Sequence, residues 1–357
     1  PIRNSTGAAH IMEHSVFCGS RRFPLKEPFT NMMNQSVSTF LNALTYSDKT
    51  VYPASSMNRA DYFNLMDVYG DAVFFPLLKK EAFLQEGHYL DAVFHPKIYE
   101  KPEIFAQEGW RWKCEDDGSL SVSGVVYNEM KGNYSSFESV AGDAQLRSLF
   151  AGTNYAFDSG GDPLEIPSFS YEDFRAFHKK YYRPENCLVF LYGNIATEEQ
   201  LDFLQAHFLD DLEKQFPVPQ EHERYPFVSE EFVRMETARP IEKPLHVSEL
   251  APDTGATGAT VTINWLCGDT TDFQSYMECA FLSEVLFGHD GSPVTKALVD
   301  SDLGDDLAPL AGTINDSRSF VLSVGLHGVK PRNEKKVYSL ILSTLEKLCR
   351  NGINPQD

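Results

Sequence analysis

No apolar run in this 357-residue chain approaches the roughly 18 residues that a membrane-spanning helix needs. The longest, such as Cys187–Tyr192, have the length of a strand. A membrane span is therefore excluded. Positive charge is scarce too: 31 Lys and Arg stand against 51 Asp and Glu, a formal net charge of −20. That balance argues against nucleic acid as a partner, because no net positive field is available to displace counterions from phosphates. A basic peptide suits such a field better, and the same charge also keeps a protein soluble. Cysteine is sparse: six residues, Cys18, Cys114, Cys187, Cys267, Cys279 and Cys349, are scattered without a CxxC pair. They read as free thiols in a reducing compartment, not as a disulfide framework.

What is present is the composition of a folded protein, 42% hydrophobic, 13% aromatic and 23% charged. The length suits two domains, since single domains run about 100–200 residues. The chain opens at Pro1 without Met and enters a motif at once, as a piece of a longer protein would, and a targeting segment cannot be judged from it. Residues 8–17 keep apolar side chains at helical spacing after the Thr6-Gly7 turn, and Pro28–Val37 reads as a second short helix. Thr39–Thr45 and Lys49–Pro53 form two extended runs around Tyr46-Ser47-Asp48, a hairpin pattern. Residues 58–95 are mostly helical. Gly124–Tyr127 reads as a short strand entering a helix with Asn128-Glu129-Met130-Lys131, Asn186–Asn194 as a strand, and 198–215 as an amphipathic helix.

A local repeat interrupts the first half. Asp71–Pro76 recurs as Asp91–Pro96, and Phe83–Gly87 recurs as Phe105–Gly109, so a tandem segment at about 77–109 reads as an insertion. Residues 217–246, rich in Pro, Glu and Arg, read as a linker. Beyond it, Thr260–Leu266 and Ser319–Gly325 read as strands, and 272–288, 292–301 and 333–350 as helices. The expected division is thus a first α+β domain at 1–216 and a related, incomplete second domain at 247–357.

The chemistry sits in His10-Ile11-Met12-Glu13-His14. On a helix, positions i, i+3 and i+4 share a face, so both imidazoles and the carboxylate project to one side. Two neutral His so placed can bind one Zn²⁺, and the Glu between them can act as base on an attacking water. With 10 His in the chain, a random sequence of this composition would carry the H-x-x-E-H pattern roughly 0.02 times. A catalytic zinc needs a third protein ligand, and spacing does not select it. Glu86, Asp91, Glu108 and Glu129 are all placed to serve, as are His88 and His95. Gly160-Gly161 reads as a turn, since no P-loop Lys follows.

The run Gly7–Ser20 around that motif closely resembles the pitrilysin/insulinase metallopeptidases, and within them the presequence-protease and falcilysin branch, where Cys-Gly-Ser also follows. The likeness continues through Pro28-Phe29, Ser38–Thr45, Asp48, Tyr52-Pro53, Gln107–Arg111, Gly124–Gly132 and Ser159–Pro163. Weaker matches reach Lys296-Ala297-Leu298 and Leu303-Gly304. The resemblance implies an α+β fold, a mostly antiparallel sheet packed by helices, with one zinc per chain. It implies His10, His14 and Glu129 as metal ligands, Glu129 being the Glu of the Asn-Glu-Met-Lys-Gly run, and Glu13 as the catalytic base. The separation of His14 and Glu129 is long for the family, and the 77–109 insertion accounts for the excess. This favours Glu129 over Asp91.

The resemblance further implies that Asn42, Ala43, Leu44 and Thr45 form an edge to which an extended peptide adds through main-chain hydrogen bonds. Family members are longer, with two halves that enclose the substrate, so the C-terminal half of the same protein is the expected partner. The implied activity is zinc endopeptidase cleavage of short unfolded peptides such as presequences. The alternatives are a single-cut processing peptidase and a non-catalytic binding or assembly subunit; the latter typically loses a ligand or the Glu, and His10, Glu13, His14 and Glu129 are all present here. The implied location is intracellular, the acidic balance leaning toward a bacterial cytoplasm over a mitochondrial matrix.

Overall fold

The computed structural model describes residues 2–24, 35–76, 103–215, 258–309 and 311–353. Contacts divide the chain into two units, one of Pro1–Lys131 with Phe157–Val233 and the other of Gly132–Ala156 with Arg234–Asp357. The second unit takes in residues 132–156, which the sequence reading places in the first domain. The linker at 217–246, most of the helix at Pro28–Val37 and the repeat at 77–102 lie outside the described residues.

The first unit is built around α1 (Ala8–Val16). Gly7 precedes it with φ 70°, a left-handed conformation that glycine adopts without steric cost, and its carbonyl accepts the first helical bond from Ile11 N at 2.8 Å. Ile11, Met12 and Val16 are fully buried, so α1 is a core helix despite its polar residues. The hairpin is present. β1 (Ser38–Leu41) pairs with β4 (Ala54–Ser56), and β2 (Leu44–Thr45) pairs with β3 (Thr50–Val51), closed by Tyr46 N donating to Lys49 O at 2.8 Å. Asn42 and Ala43 interrupt the ladder between β1 and β2.

Helix α2 (Arg59–Phe74) starts at Asn58, whose side chain accepts from the backbone N–H of Ala60 and Asp61 at 2.9 and 3.2 Å. Helix α3 (Glu103–Glu108) packs on α1 and leads into the antiparallel pair β5 (Arg111–Cys114) and β6 (Leu120–Ser123). Helix α4 (Val125–Asn133) follows. Here Val125-Val126-Tyr127 is helical and not the expected strand. Val126 is fully buried, and burial on the helix face overrides the β-branched preference of two adjacent valines. Gly124 allows the tight entry: a Cβ there would lie 2.1 Å from the Gly109 carbonyl oxygen.

Helix α6 (Tyr171–Tyr181) also packs on α1. Helix α7 (Thr197–Leu204) runs through one π-helical turn, Gln205–Leu209, into α8 (Asp210–Gln215). Phe208 of the π turn, Leu212 and Phe75 form one aromatic-aliphatic cluster. The strand expected at Asn186–Asn194 is absent from every ladder among the described residues, and Leu188, Phe190 and Tyr192 are exposed. An apolar run becomes a strand only where a neighbour satisfies its backbone groups, and no described segment does so here.

In the second unit, β10 (Ser319–Val329) is the central strand, buried along most of its length. It pairs antiparallel with β7 (Ala259–Asp269) and with the short β8 (Asp306–Leu307) and β9 (Gly312–Ile314). Helices α9 (Phe273–Phe287), α10 (Pro293–Val299) and α11 (Glu334–Asn351) complete the unit. Val337 and Ile341 of α11, one turn apart, bury against Val324 and Leu326 of β10 with Leu298 of α10. Helix α5 (Phe137–Leu149) belongs to this unit, where the Gln145 amide donates to Ser323 Oγ at 3.0 Å. Every strand pair among the described residues is antiparallel and helices cover them, so the α+β class holds. None of the six cysteines is in a disulfide.

Candidate metal centre

One helical turn of α1 presents His10, Glu13 and His14 on a shared side, and α4 brings Glu129 to meet them. Glu129 Oε2 lies 3.7 Å from His10 Nε2 and 3.7 Å from His14 Nε2. The three ligand atoms fall within 4.8 Å of one another. Zinc held tetrahedrally at about 2.0–2.2 Å sets its ligand atoms roughly 3.3 Å apart, and the two distances from Glu129 are within a few tenths of an ångström of that spacing. The donor set itself fits zinc: two imidazoles and one carboxylate, with room for a fourth position because the Glu129 side chain is half exposed.

The other ring nitrogens are also engaged. His10 Nδ1 lies 3.1 Å from the carbonyl oxygen of Gly160, which fixes the tautomer with the proton on Nδ1 and the lone pair on Nε2. His14 Nδ1 faces Glu108 Oε2 at 3.8 Å. Burial alone would lower the His14 pKa, but Glu108, Glu13 and Glu129 together outweigh it and hold the value above the ordinary histidine range. Excess negative charge around this imidazole is what a divalent cation would neutralise.

Gly160 reaches His10 because three glycines let two backbones touch. A Cβ on Gly7 would lie 2.9 Å from Gly160 O, and one on Gly161 would lie 2.8 Å from the Gly7 Cα. Asp162 N donating to Ser5 O at 2.7 Å ties the same loop down. The Gly160-Gly161 pair is thus a turn, and its carbonyl serves the site.

Glu13 is nearly buried, at 8% exposure, and its Oε2 accepts the Thr45 hydroxyl at 2.6 Å. That bond brings the end of β2 to the centre. Ser159 Oγ donates to the Thr45 carbonyl at 3.3 Å. Leu44 is in the ladder opposite Val51, Asn42 N donates to Pro53 O at 3.2 Å, and Ala43 N donates to Asn42 Oδ1 at 2.9 Å. Of the four edge residues, only Thr45 is hydrogen-bonded to a residue of the His10–His14 run.

Among the candidates for third ligand, Glu129 faces both Nε2 atoms, whereas Glu108 stands behind His14. Glu86, His88, Asp91 and His95 lie outside the described residues. Sequence reasoning missed Gly160 as the partner of His10 and Tyr182, whose hydroxyl lies 2.7 Å from that of Tyr52. Burial raises the pKa of both phenols, with nearby Glu13 adding to the effect, so they stay neutral. No local spacing announces either contact; both span more than a hundred residues. A cavity of about 1530 Å³ in the first unit includes Tyr52 and Tyr182 in its lining but none of His10, Glu13, His14 or Glu129. The ligand cluster therefore lies outside the lining of this cavity.

Residues 3–91 match the family profile described as insulinase (peptidase family M16), and residues 168–357 match that of the peptidase M16 inactive domain. The chain is similar to protein HypA of Clostridium perfringens, with 36% identity covering 100% of this chain and 33% of that protein. It is also similar to presequence protease 1, chloroplastic/mitochondrial, of Arabidopsis thaliana, with 35% identity covering 99% and 30%. The chain thus spans about a third of the length of these curated relatives. A protease from Helicobacter pylori shares the fold at a TM-score of 0.65 and 15% identity, over 100% of this chain and 73% of that one. Pitrilysin shares it at 0.51 and 17%, over 99% and 33%.

Proposed function

This chain belongs to the insulinase family of peptidases, family M16, and from that premise we propose that it carries the zinc centre of a metalloendopeptidase acting on short unfolded peptides. The observation that carries the reading is the convergence of His10 Nε2, His14 Nε2 and Glu129 Oε2 with Glu13 on the same helix turn. His10, His14 and Glu129 hold the metal. Zinc bound there supplies Lewis-acid polarisation of the scissile carbonyl and makes a water acidic enough to attack near neutral pH. Glu13 is the base. Its Oε2 is occupied by Thr45, which leaves Oε1 to take the water proton and later deliver it to the leaving amine. Burial keeps this carboxylate away from bulk water and in fixed orientation.

Asn42–Thr45 form the substrate edge in this reading. A peptide added along β2 would run toward Glu13, because Thr45 ends the strand beside it. Main-chain pairing suits extended, unfolded segments, and the net charge of −20 favours basic ones such as presequence-like peptides. Hydrogen exchange on a complex with an uncleaved peptide should show new protection over residues 40–46. Unchanged exchange there would remove the edge from the account.

The rest of the same protein is the proposed partner, supplying the opposite wall of the substrate site. The second unit is read as non-catalytic, since residues 168–357, which match a domain described as inactive, include most of it. The test is hydrolysis of an unstructured basic peptide by the full-length protein. Activity should vanish with a strong chelator and return with added zinc. Hydrolysis indifferent to chelation would contradict the reading.

A further inference from the structure

The two histidines of α1 differ in what stands behind them. His10 backs onto a neutral carbonyl, whereas His14 backs onto the carboxylate of Glu108 at the end of α3. Glu108 is only 6% exposed, and His14 is its sole ion-pair partner among the described residues. A buried carboxylate is retained only where something compensates its desolvation. Two donors orient it: Gln107 Nε2 at 2.7 Å and the Cys18 thiol at 3.5 Å both reach Oε1. Oε2 is thereby left facing His14 Nδ1 at 3.8 Å, an ion-pair separation just beyond hydrogen-bond length.

We propose that Glu108 is a positioning residue that receives the Nδ1–H of His14 and so directs the Nε2 lone pair toward the metal. A carboxylate behind a ligating imidazole fixes its tautomer and ring orientation and makes the ligating nitrogen a stronger donor. Glu108 stands behind the ligand and touches no reacting atom, so its effect passes through His14. This assignment rests on the zinc site proposed above and adds a fourth side chain to it. Cys18 and Gln107 hold the carboxylate in turn, which gives the Cys-Gly-Ser and Gln-Glu-Gly-Trp runs a shared physical purpose.

The experiment compares wild-type full-length protein with Glu108→Ala and Glu108→Gln. Zinc affinity is measured by chelator competition, the ligand field by the visible spectrum of the cobalt(II)-substituted protein, and folding by thermal unfolding of the metal-free form. Loss of an outer-shell partner weakens metal binding about 10–100-fold, and Glu108→Ala should fall in that range with shifted cobalt bands. Glu108→Gln, whose amide oxygen still accepts Nδ1–H, should lie between it and wild type. Metal-free stability near the wild-type value, alongside the affinity loss, supports positioning; affinity lost only in step with metal-free stability overturns it. Should Glu108→Ala fail to fold, Glu108→Gln decides alone, a several-fold loss with shifted bands supporting the role and wild-type behaviour overturning it. Wild-type protein that binds no zinc would overturn the metal site itself. Zinc bound equally well by all three forms would overturn Glu108 alone.

Discussion

Glu13→Gln keeps its zinc and loses hydrolysis by about 10²–10⁴-fold or more, the range that removing a general base gives. Gln has nearly the same shape as Glu, and its amide oxygen can still accept the Thr45 hydroxyl that Glu13 Oε2 accepts at 2.6 Å. The geometry of α1 and β2 therefore survives. Glu13 is outside the ligand set of His10, His14 and Glu129, so metal content should be unchanged. Only proton acceptance is lost. Steady-state kinetics and elemental analysis on one preparation check both halves of the expectation. Wild-type turnover in this variant would remove Glu13 from the chemistry, and loss of zinc would make it a ligand.

Glu129→Gln should do the opposite and lose metal and activity together. Its Oε2 lies at the same 3.7 Å from both imidazole Nε2 atoms, so it closes the ligand set on the side the histidines leave open. A neutral amide is a far weaker zinc ligand than a carboxylate. The expected fall in affinity exceeds the roughly 10–100-fold that outer-shell partners contribute. The side chain is half exposed, so the substitution should leave folding intact. Chelator competition reads the affinity. Undiminished zinc in Glu129→Gln would return the third ligand to Asp91 or another residue of the 77–109 segment.

The part of this site carried by α1 was fully legible, because i, i+3, i+4 spacing is a property of one helix. Glu129 was legible only through the resemblance. In sequence Glu108 and Glu129 are equally placed acids, and what separates them is the β5–β6 hairpin between α3 and α4, which carries one to each side of His14. Thr45 and Gly160 escaped local reasoning for the same cause: their bonds to Glu13 and His10 cross 32 and 150 residues. In the fold, the hairpin, α2, α11 and the long strands β7 and β10 follow their patterns. Val125–Tyr127 broke its pattern because burial against the core outweighed a β-branched run. Cys187–Tyr192 shows the converse limit, since strand character depends on a partner that the run itself does not encode.

X-ray absorption at the zinc edge of the full-length protein tests the central claim most directly. The account predicts a first shell of nitrogen and oxygen alone at about 2.0–2.2 Å, with the multiple-scattering pattern of two imidazoles. Cys18 makes the alternative concrete, since its thiol lies 3.5 Å from Glu108, directly behind His14. A sulfur shell near 2.3 Å, or a single imidazole, would contradict the assignment of His10, His14 and Glu129 as the ligands.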